Sequence, residues 1–444
     1  MEPLLEIDLD KVFFNCSQLK KITKSILRDK EIKLYYAIKA NYKEIVRELI
    51  LNEGYGAEVL SEYELDLIKS NVPIVANGHV KSDKFLEKIL ERESTQLVIE
   101  SIDEIENICK IYKKKKLKKN INIGVRIPFK GSRIGFDINK LYLLKDIKEK
   151  NEFLNIDMLH FHMGWNNNDN NSYKEQLELI NNIHNMLQEY GIKITKWDIG
   201  GSYCEYSVDK GQLPSRMKIL KSIIPDDVQE VYLEPGRFLI GDAGTLYSNV
   251  INTEGNECTV NSATYGYLLS GATPSIYHMN KYGDIIKLNI EKKSEYIICG
   301  IWPSDNDCIP IKKENINIKD KILFRNMGAY LDGNMNNISF DFGFNYKITQ
   351  KIYPLFRVAN EEERVILFKF WDFNNSKFKK IPKSKDMLIS IINLIVKSIV
   401  EIKVYTEIEL NKLLSKYFDD FATIRREMVE KGKLFKVGDN YERK

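Results

Sequence analysis

Three short segments carry residue types whose spacing can do chemistry together. Leu34-Tyr-Tyr-Ala-Ile-Lys-Ala-Asn41 is an apolar run that reads as a buried strand with Lys39 at its carboxyl end. A lysine leaving such a strand is partly desolvated, which brings its neutral amine within reach and lets it form a Schiff base. The other two, Asp198-Ile-Gly-Gly-Ser202 and Leu233-Glu-Pro-Gly-Arg237, also follow apolar runs. Glycines at strand ends let backbone N–H groups approach a phosphate, and Arg237 can grip one bidentately. Each segment alone is commonplace, since a strand-end lysine is usually a surface charge and glycine turns are frequent. In this order they describe a Schiff-base lysine facing a phosphate site, and barrels often build such sites from the loops after strands seven and eight.

The elements that must position these residues follow from the apolar pattern. Residues 11–30 read as an amphipathic helix, and a second helix at 43–53 is punctuated by Gly54 and Gly56. Apolar strands are expected near Pro73–Ala76, Thr95–Ile99, Ile121–Ile127, Asp157–His162, Lys196–Ile199 and Glu230–Leu233. Helical stretches lie between them, among them Asp83–Arg92, Ile102–Lys118 and Ser172–Tyr190. Repeated strand–helix units favour an α/β fold with a parallel sheet, open or closed into a barrel.

Past residue 245 strand-like runs replace helices, at Tyr247–Ile251, Glu257–Val260, Lys287–Ile290, Glu295–Cys299 and Lys321–Phe324. The first strand, Leu4–Leu9, is expected to pair with this β-rich region. From Asn374 the order is helix, two short helices (Glu407–Tyr417 and Asp420–Lys431) and a hairpin around Gly438-Asp439-Asn440, which is the winged-helix order. The expected division is therefore 1–30, a strand and helix joining the β domain; 31–245, the α/β region; 246–373, the β-rich domain; and 374–444, a winged-helix-like appendage.

The chain has 444 residues and a net charge of +4 from 67 basic and 63 acidic residues, which gives no general argument for nucleic acid or membrane as partner. Residues 376–444 hold sixteen Lys and Arg against ten Asp and Glu, so the basic excess is concentrated there. A solvated docking domain and a nucleic-acid or carrier contact both fit that charge. The six cysteines are scattered without a C-x-x-C pair, so neither a metal site nor a disulfide framework is expected. The acidic N-terminus lacks the form of a signal peptide, and the apolar stretch Met387–Val396 is too short to span a bilayer. A cytoplasmic protein is expected.

Tyr35-Tyr-Ala-Ile-Lys-Ala-Asn41, His162-Met-Gly164, Asp198-Ile-Gly-Gly201, Glu234-Pro-Gly-Arg237 and Gly328-Ala-Tyr330 occur in the order found in the alanine-racemase-like (fold type III) pyridoxal-phosphate decarboxylases. The chain resembles that family, which includes the ornithine, arginine and diaminopimelate enzymes, over roughly residues 4–350. The resemblance implies a (β/α)8 TIM barrel plus a β-barrel or sandwich domain, pyridoxal 5'-phosphate as cofactor, and a head-to-tail homodimer with shared active sites. It implies that Lys39 carries the cofactor, that His162 stacks on its ring and that Glu234 bonds the pyridine nitrogen. Gly201, Gly236, Arg237 and Tyr330 would bind the phosphate, and Glu58 stands in the place of a family aspartate near the Schiff base. Alanine racemases use an arginine at the pyridine nitrogen, so Glu234 favours decarboxylation.

Three departures bear on what the resemblance implies. Trp165 replaces a serine that usually binds phosphate. The segment supplying a cysteine proton donor and an acidic substrate contact reads Gly300-Ile-Trp-Pro-Ser-Asp-Asn-Asp307. With a one-residue shift Ser304 replaces the cysteine and Asp305 keeps the carboxylate, while without it only Asp307 aligns. A serine is a poor acid at neutral pH, which leaves water or Lys39 as further proton sources. Thr273 stands where diaminopimelate enzymes carry an arginine clamp for a distal carboxylate. That change and the extra domain favour an amino acid conjugated to a larger carrier, as in natural-product pathways. Decarboxylation of free ornithine, lysine or diaminopimelate is the alternative, and a catalytically silent regulator is a third reading. The C-terminal segment resembles a small uncharacterised domain family through Ile381-Pro-Lys383 and Tyr417–Met428, where Arg425 and Arg426 could meet phosphates or solvate their helix.

Overall fold

The computed structural model describes residues 3–164, 169–262, 264, 273, 275–301, 304–330, 347–351, 353–372 and 377–443. Two compact units emerge: residues 1–7 with 15–349, and residues 8–14 with 350–444.

In the first unit, eight parallel strands close a barrel: β2 (Glu31–Ala37), β3 (Gly56–Val59), β4 (Ile74–Ala76), β5 (Thr95–Ile99), β6 (Ile121–Arg126), β7 (Leu154–His160), β8 (Lys196–Asp198) and β9 (Glu230–Leu233), which returns to β2. These strands are buried on both faces, which is why they read as continuous apolar runs rather than alternating ones. Ser61, Ser82 and Ser101 each accept the backbone N–H three residues on and so start the helices Glu62–Leu67, Asp83–Glu91 and Ile102–Lys115. Inside the barrel Tyr35, Val75, Val98, Met158 and Tyr232 form a plug, with the Tyr35 and Tyr232 rings stacked at 5.0 Å. Glycine makes room for it: a Cβ on Gly56 would lie 2.5 Å from the Tyr35 ring. The plug leaves the carboxyl ends of the strands as the open end of the barrel.

Strand β1 (Leu4–Asp8) pairs antiparallel with β10 (Gly244–Glu254). Around them lies a nine-stranded sheet with β11 (Glu257–Val260), β12 (Ile276–Met279), β13 (Ile285–Lys287), β14 (Ile297–Cys299), β15 (Cys308–Pro310), β16 (Lys321–Arg325) and β17 (Lys347–Lys351), in the order β13-β12-β16-β10-β11-β14-β15 with β1 and β17 off that path. Gly328 stitches this sheet to the barrel's last loop, since a Cβ there would fall 1.9 Å from the Ile240 carbonyl oxygen.

The second unit contains two helices, Pro354–Val358 and Glu361–Phe370, that the strand-like texture of the region does not announce. After the short pair β18 (Trp371–Asp372) and β19 (Lys377–Phe378) come helix Lys385–Ser398, β20 (Val404–Thr406), helices Glu407–Leu414 and Phe421–Glu430, and the hairpin β21 (Phe435–Val437) and β22 (Asn440–Glu442). The sheet order β20-β22-β21 completes the winged-helix arrangement. Its aromatic and aliphatic core includes Trp371, Phe378, Ile391, Leu410, Ile424 and Met428. No helix among the described residues is long and apolar enough to cross a membrane.

Candidate active site

Lys39 leaves β2 in a single 3-10 turn, Ile38–Ala40, at the open end of the barrel. Its Nζ lies 2.5 Å from Oε2 of Glu58 on β3, a carboxylate with no exposed side-chain surface. Glu58 in turn accepts from Asn77 Nδ2 at 3.2 Å, and the same amide donates to Glu234 Oε1 at 2.6 Å. Three successive loop positions around the barrel thus fix the polar floor of one cavity. The bridging role of Asn77 emerged only from the structure, since an asparagine after a strand does not reveal its partners.

The cavity above is walled by Lys39, His162, Gly201, Glu234, Gly236, Arg237 and Tyr330, with Ser202 and Tyr203 beside them. Seven residues expected from the sequence therefore converge, and Glu58 supports them from below. Tyr330 arrives from the β-rich sheet, held by its N–H to Ala40 O at 2.6 Å, while Asn41 Nδ2 donates to Gly328 O at 2.9 Å. Ser202 and Tyr330 both adopt left-handed backbone, with φ of 70° and 62°. Non-glycine residues hold that conformation at some cost and cluster at functional sites. Ser202 Oγ donates to Gly164 O at 2.5 Å, tying the two loops that flank the cavity.

The electrostatics differ from the sequence expectation in one respect. Burial lowers the Lys39 ammonium, but Glu58, Tyr330 and Glu234 outweigh it and hold the amine charged. Lys39 is therefore not a pre-formed neutral amine, because the ion pair with Glu58 overrides desolvation. Burial, only partly opposed by Lys39, pushes Glu58 up to about 7. Burial and the charge of Lys39 push His162 down to about 3, so its ring is neutral. Its Nδ1 accepts from Gly201 N–H at 3.3 Å, which assigns the proton to Nε2.

The site fits pyridoxal phosphate. Gly200 has φ of +61° and a Cβ there would press 2.7 Å from Phe161 O, and a Cβ on Gly236 would meet Tyr330 Oη at 2.7 Å. These cradles open backbone beside Arg237, whose guanidinium lies 5.0 Å over the Tyr330 ring and 3.3 Å from Glu205. Amine, neutral imidazole, buried carboxylate and phosphate cradle stand around one space.

Ser304, Asp305 and Asp307 lie elsewhere, in the turn 304–307 just before β15, and do not wall this cavity. Asp305 is exposed. Asp307 is buried against Gly300 and accepts from Thr264 Oγ1 at 2.7 Å, which anchors the turn. Thr273 donates through its hydroxyl to Glu205 Oε2 at 3.1 Å. Trp165 lies outside the described residues. In the second unit Arg425 is engaged with Glu407 at 2.7 Å and sits over the Tyr441 ring at 5.3 Å, while Arg426 is exposed and bonds Thr423.

Residues 15–241 match the family described as pyridoxal-dependent decarboxylase, pyridoxal binding domain. The chain belongs to the pyridoxal-dependent decarboxylases. Residues 377–443 match a family described as an uncharacterized protein conserved in bacteria (DUF2087). The decarboxylase is 28% identical to the diaminopimelate decarboxylase of Aquifex aeolicus over 292 residues, 60% of this chain and 68% of that one. It is 21% identical to the ornithine decarboxylase of Caenorhabditis elegans over 355 residues, 73% and 82% of the two chains. Its fold is that of the lysine/ornithine decarboxylase of Vibrio vulnificus complexed with cadaverine, with a TM-score of 0.65, 21% identity and coverage of 79% of this chain and 95% of that one. It is an amino-acid carboxy-lyase that uses pyridoxal phosphate.

Proposed function

We propose that this decarboxylase works as a cytoplasmic homodimer that removes the α-carboxylate of an amino acid carried on a larger conjugate in a natural-product pathway. The convergence of Lys39, Glu58, His162, Glu234 and Arg237 on one cavity supports the chemistry. Bound pyridoxal phosphate supplies the electron sink for the pair left when CO2 departs. Lys39 would hold the cofactor through its amine and exchange it for the substrate amine. Glu58, at hydrogen-bond distance and titrating near neutrality, takes the proton that Lys39 sheds. Neutral His162 would offer an uncharged aromatic face to the cofactor ring, and Glu234 would keep the ring nitrogen protonated. Gly201, Gly236, Arg237 and Tyr330 hold the phosphate. The returned proton comes from water or from Ser304 and Asp305, on a turn contributed by a second subunit and anchored by buried Asp307.

Thr273 supports the substrate reading: a hydroxyl bonded to Glu205 stands where diaminopimelate enzymes carry a cation for the distal carboxylate. The basic C-terminal module is then the part that meets the carrier. The names of the relatives favour the alternative, a free diamino or basic acid. CO2 release from a panel of free and conjugated amino acids separates the two. Activity on a free amino acid alone sinks the conjugate reading, and a protein that binds no pyridoxal phosphate at Lys39, with Lys39→Ala indistinguishable from wild type, sinks the chemistry.

A further inference from the structure

Beside Glu234 lies a third buried carboxyl, which the reaction does not use. Asp198 ends β8 with no solvent exposure. Its Oδ1 accepts from Gly200 N–H at 2.9 Å, while Oδ2 meets no donor among the described residues. Glu234, from the neighbouring strand end, has Oε1 taken by Asn77. His160 on β7 approaches Glu234 Oε2 only to 3.6 Å, and neither of its ring nitrogens has a hydrogen-bond partner. One ligand atom from each of His160, Asp198 and Glu234 lies within 4.8 Å of the others. Two carboxylates buried side by side cannot both ionise, so the cluster must hold a proton.

We propose that Asp198 keeps that proton at neutral pH and donates it to Glu234, acting as the positioning residue that fixes Glu234 as the anion of the pair. The proposal rests on Glu234 facing the cofactor's ring nitrogen.

The surroundings decide which group is protonated. Glu234 already receives the Asn77 N–H; burial opposes its charge, while His160 beside it and, after it, Lys39 favour that charge. Asp198 has a single backbone donor and faces Glu234, Glu58 on β3, Tyr35 on β2 and Tyr203 from its own loop. Burial first, and the Glu234 charge second, push its carboxyl well above the usual carboxylate range. His160 is the competing proton holder. Burial lowers its ring and Arg126 opposes its charge, and the pull of Glu234 does not compensate. A hydrogen bond from Asp198 makes Glu234 a weaker base, so a proton shared with the ring nitrogen stays on the ring. No proton leaves Asp198 in turnover.

The test reads the proton directly. In full-length protein carrying 13C-labelled aspartate carboxyls, the resonance lost in Asp198→Asn should show the acid form at pH 7, with or without cofactor. A carboxylate shift there overturns the proposal. The second measurement is affinity for pyridoxal phosphate, read from visible absorbance. Asp198→Asn, whose amide still donates to Glu234, should stay within about twofold of wild type, while Asp198→Ala should weaken by about tenfold. Equal weakening in both variants means a structural role and overturns it. If Asp198→Ala does not fold, the resonance in wild type and Asp198→Asn still decides. Failure of wild type to take up cofactor counts against the proposed function, whereas a carboxylate Asp198 in cofactor-bound protein counts against this inference alone.

Discussion

Lys39 Nζ and Glu58 Oε2 are 2.5 Å apart, and both groups hold a proton more tightly than they would in water. The lysine is held charged while the glutamate is raised to about 7, so near neutrality Glu58 is the nearest acceptor for the proton Lys39 has to lose. That gives a prediction with a definite sign. Base function needs ionised Glu58, so the rate of cofactor capture should fall as pH drops below about 7. Glu58→Gln should capture cofactor about a hundredfold more slowly and lose that pH dependence. Stopped-flow absorbance after mixing apoprotein with pyridoxal phosphate measures both. An unchanged pH profile in the variant would remove Glu58 from the proton path.

Gly328 makes a steric prediction. Its missing Cβ leaves room for the Ile240 carbonyl, at 1.9 Å from where that carbon would be, and both neighbours are backbone. Nothing flexible can yield, so Gly328→Ala should destabilise the first unit by about 3 kcal/mol or more. Gly236→Ala instead meets the Tyr330 hydroxyl, the far end of a side chain that can move. It should fold nearly normally and lose cofactor affinity. Urea unfolding for the first variant and cofactor titration for the second distinguish the two kinds of glycine.

Arg425 separates strut from ligand in the C-terminal module. Its guanidinium contacts Glu407, Asn411 and the Tyr441 ring, so it joins two helices and the hairpin. Glu407 is 47% exposed, which limits the ion pair itself to well under about 1 kcal/mol. The loss of all three contacts in Arg425→Ala should cost about 2 kcal/mol in module stability. Arg426→Ala, on an exposed position, should cost under about 0.5 kcal/mol. Native stability in Arg425→Ala together with lost duplex binding would make the side chain a nucleic-acid ligand instead.

What the sequence disclosed follows from how each residue is presented. Lys39, His162, Glu234 and Arg237 stand where apolar strand runs end in polar or glycine-rich loops, so the run itself points at them. Asp198 and Asn77 occupy similar strand ends, but buried polar residues there announce no chemistry until their partners across the barrel are known. Glu58 was legible only through resemblance, because its strand is short and its role depends on the facing lysine. The convergence of Tyr330 with the barrel was implied by a glycine, Gly328, whose reason is a contact nearly ninety positions back in the chain. The Ser304–Asp307 turn stands apart from the cavity, between β14 and β15 of the sheet, and its sequence gives no sign of that distance. Helices Pro354–Val358 and Glu361–Phe370 were hidden because they are short and bury their apolar residues against helix Lys385–Ser398, further along the chain.

Asp10 carries the last prediction, within the second unit. It is 1% exposed and its carboxylate accepts Tyr353 N–H at 2.5 Å. Burial, reinforced by Asp8 and opposed by the Tyr353 bond and by Arg364 and Arg357, pushes its carboxyl up to about 7. The folded state therefore binds the proton more tightly than the unfolded chain. Its stabilising effect is full below about pH 4 and is lost as pH rises to about 7, amounting to up to about 4 kcal/mol. Asn in its place can accept the same N–H without the charge. Asp10→Asn should match wild type near pH 4 and exceed it progressively up to pH 8. Amide exchange of peptides containing Tyr353, compared between variant and wild type at each pH, reads this locally and does not require the two units to unfold together. If wild type instead gains protection relative to the variant as pH rises, Asp10 is a stabilising anion paired with Arg357 and Arg364, and burial is not what sets its charge.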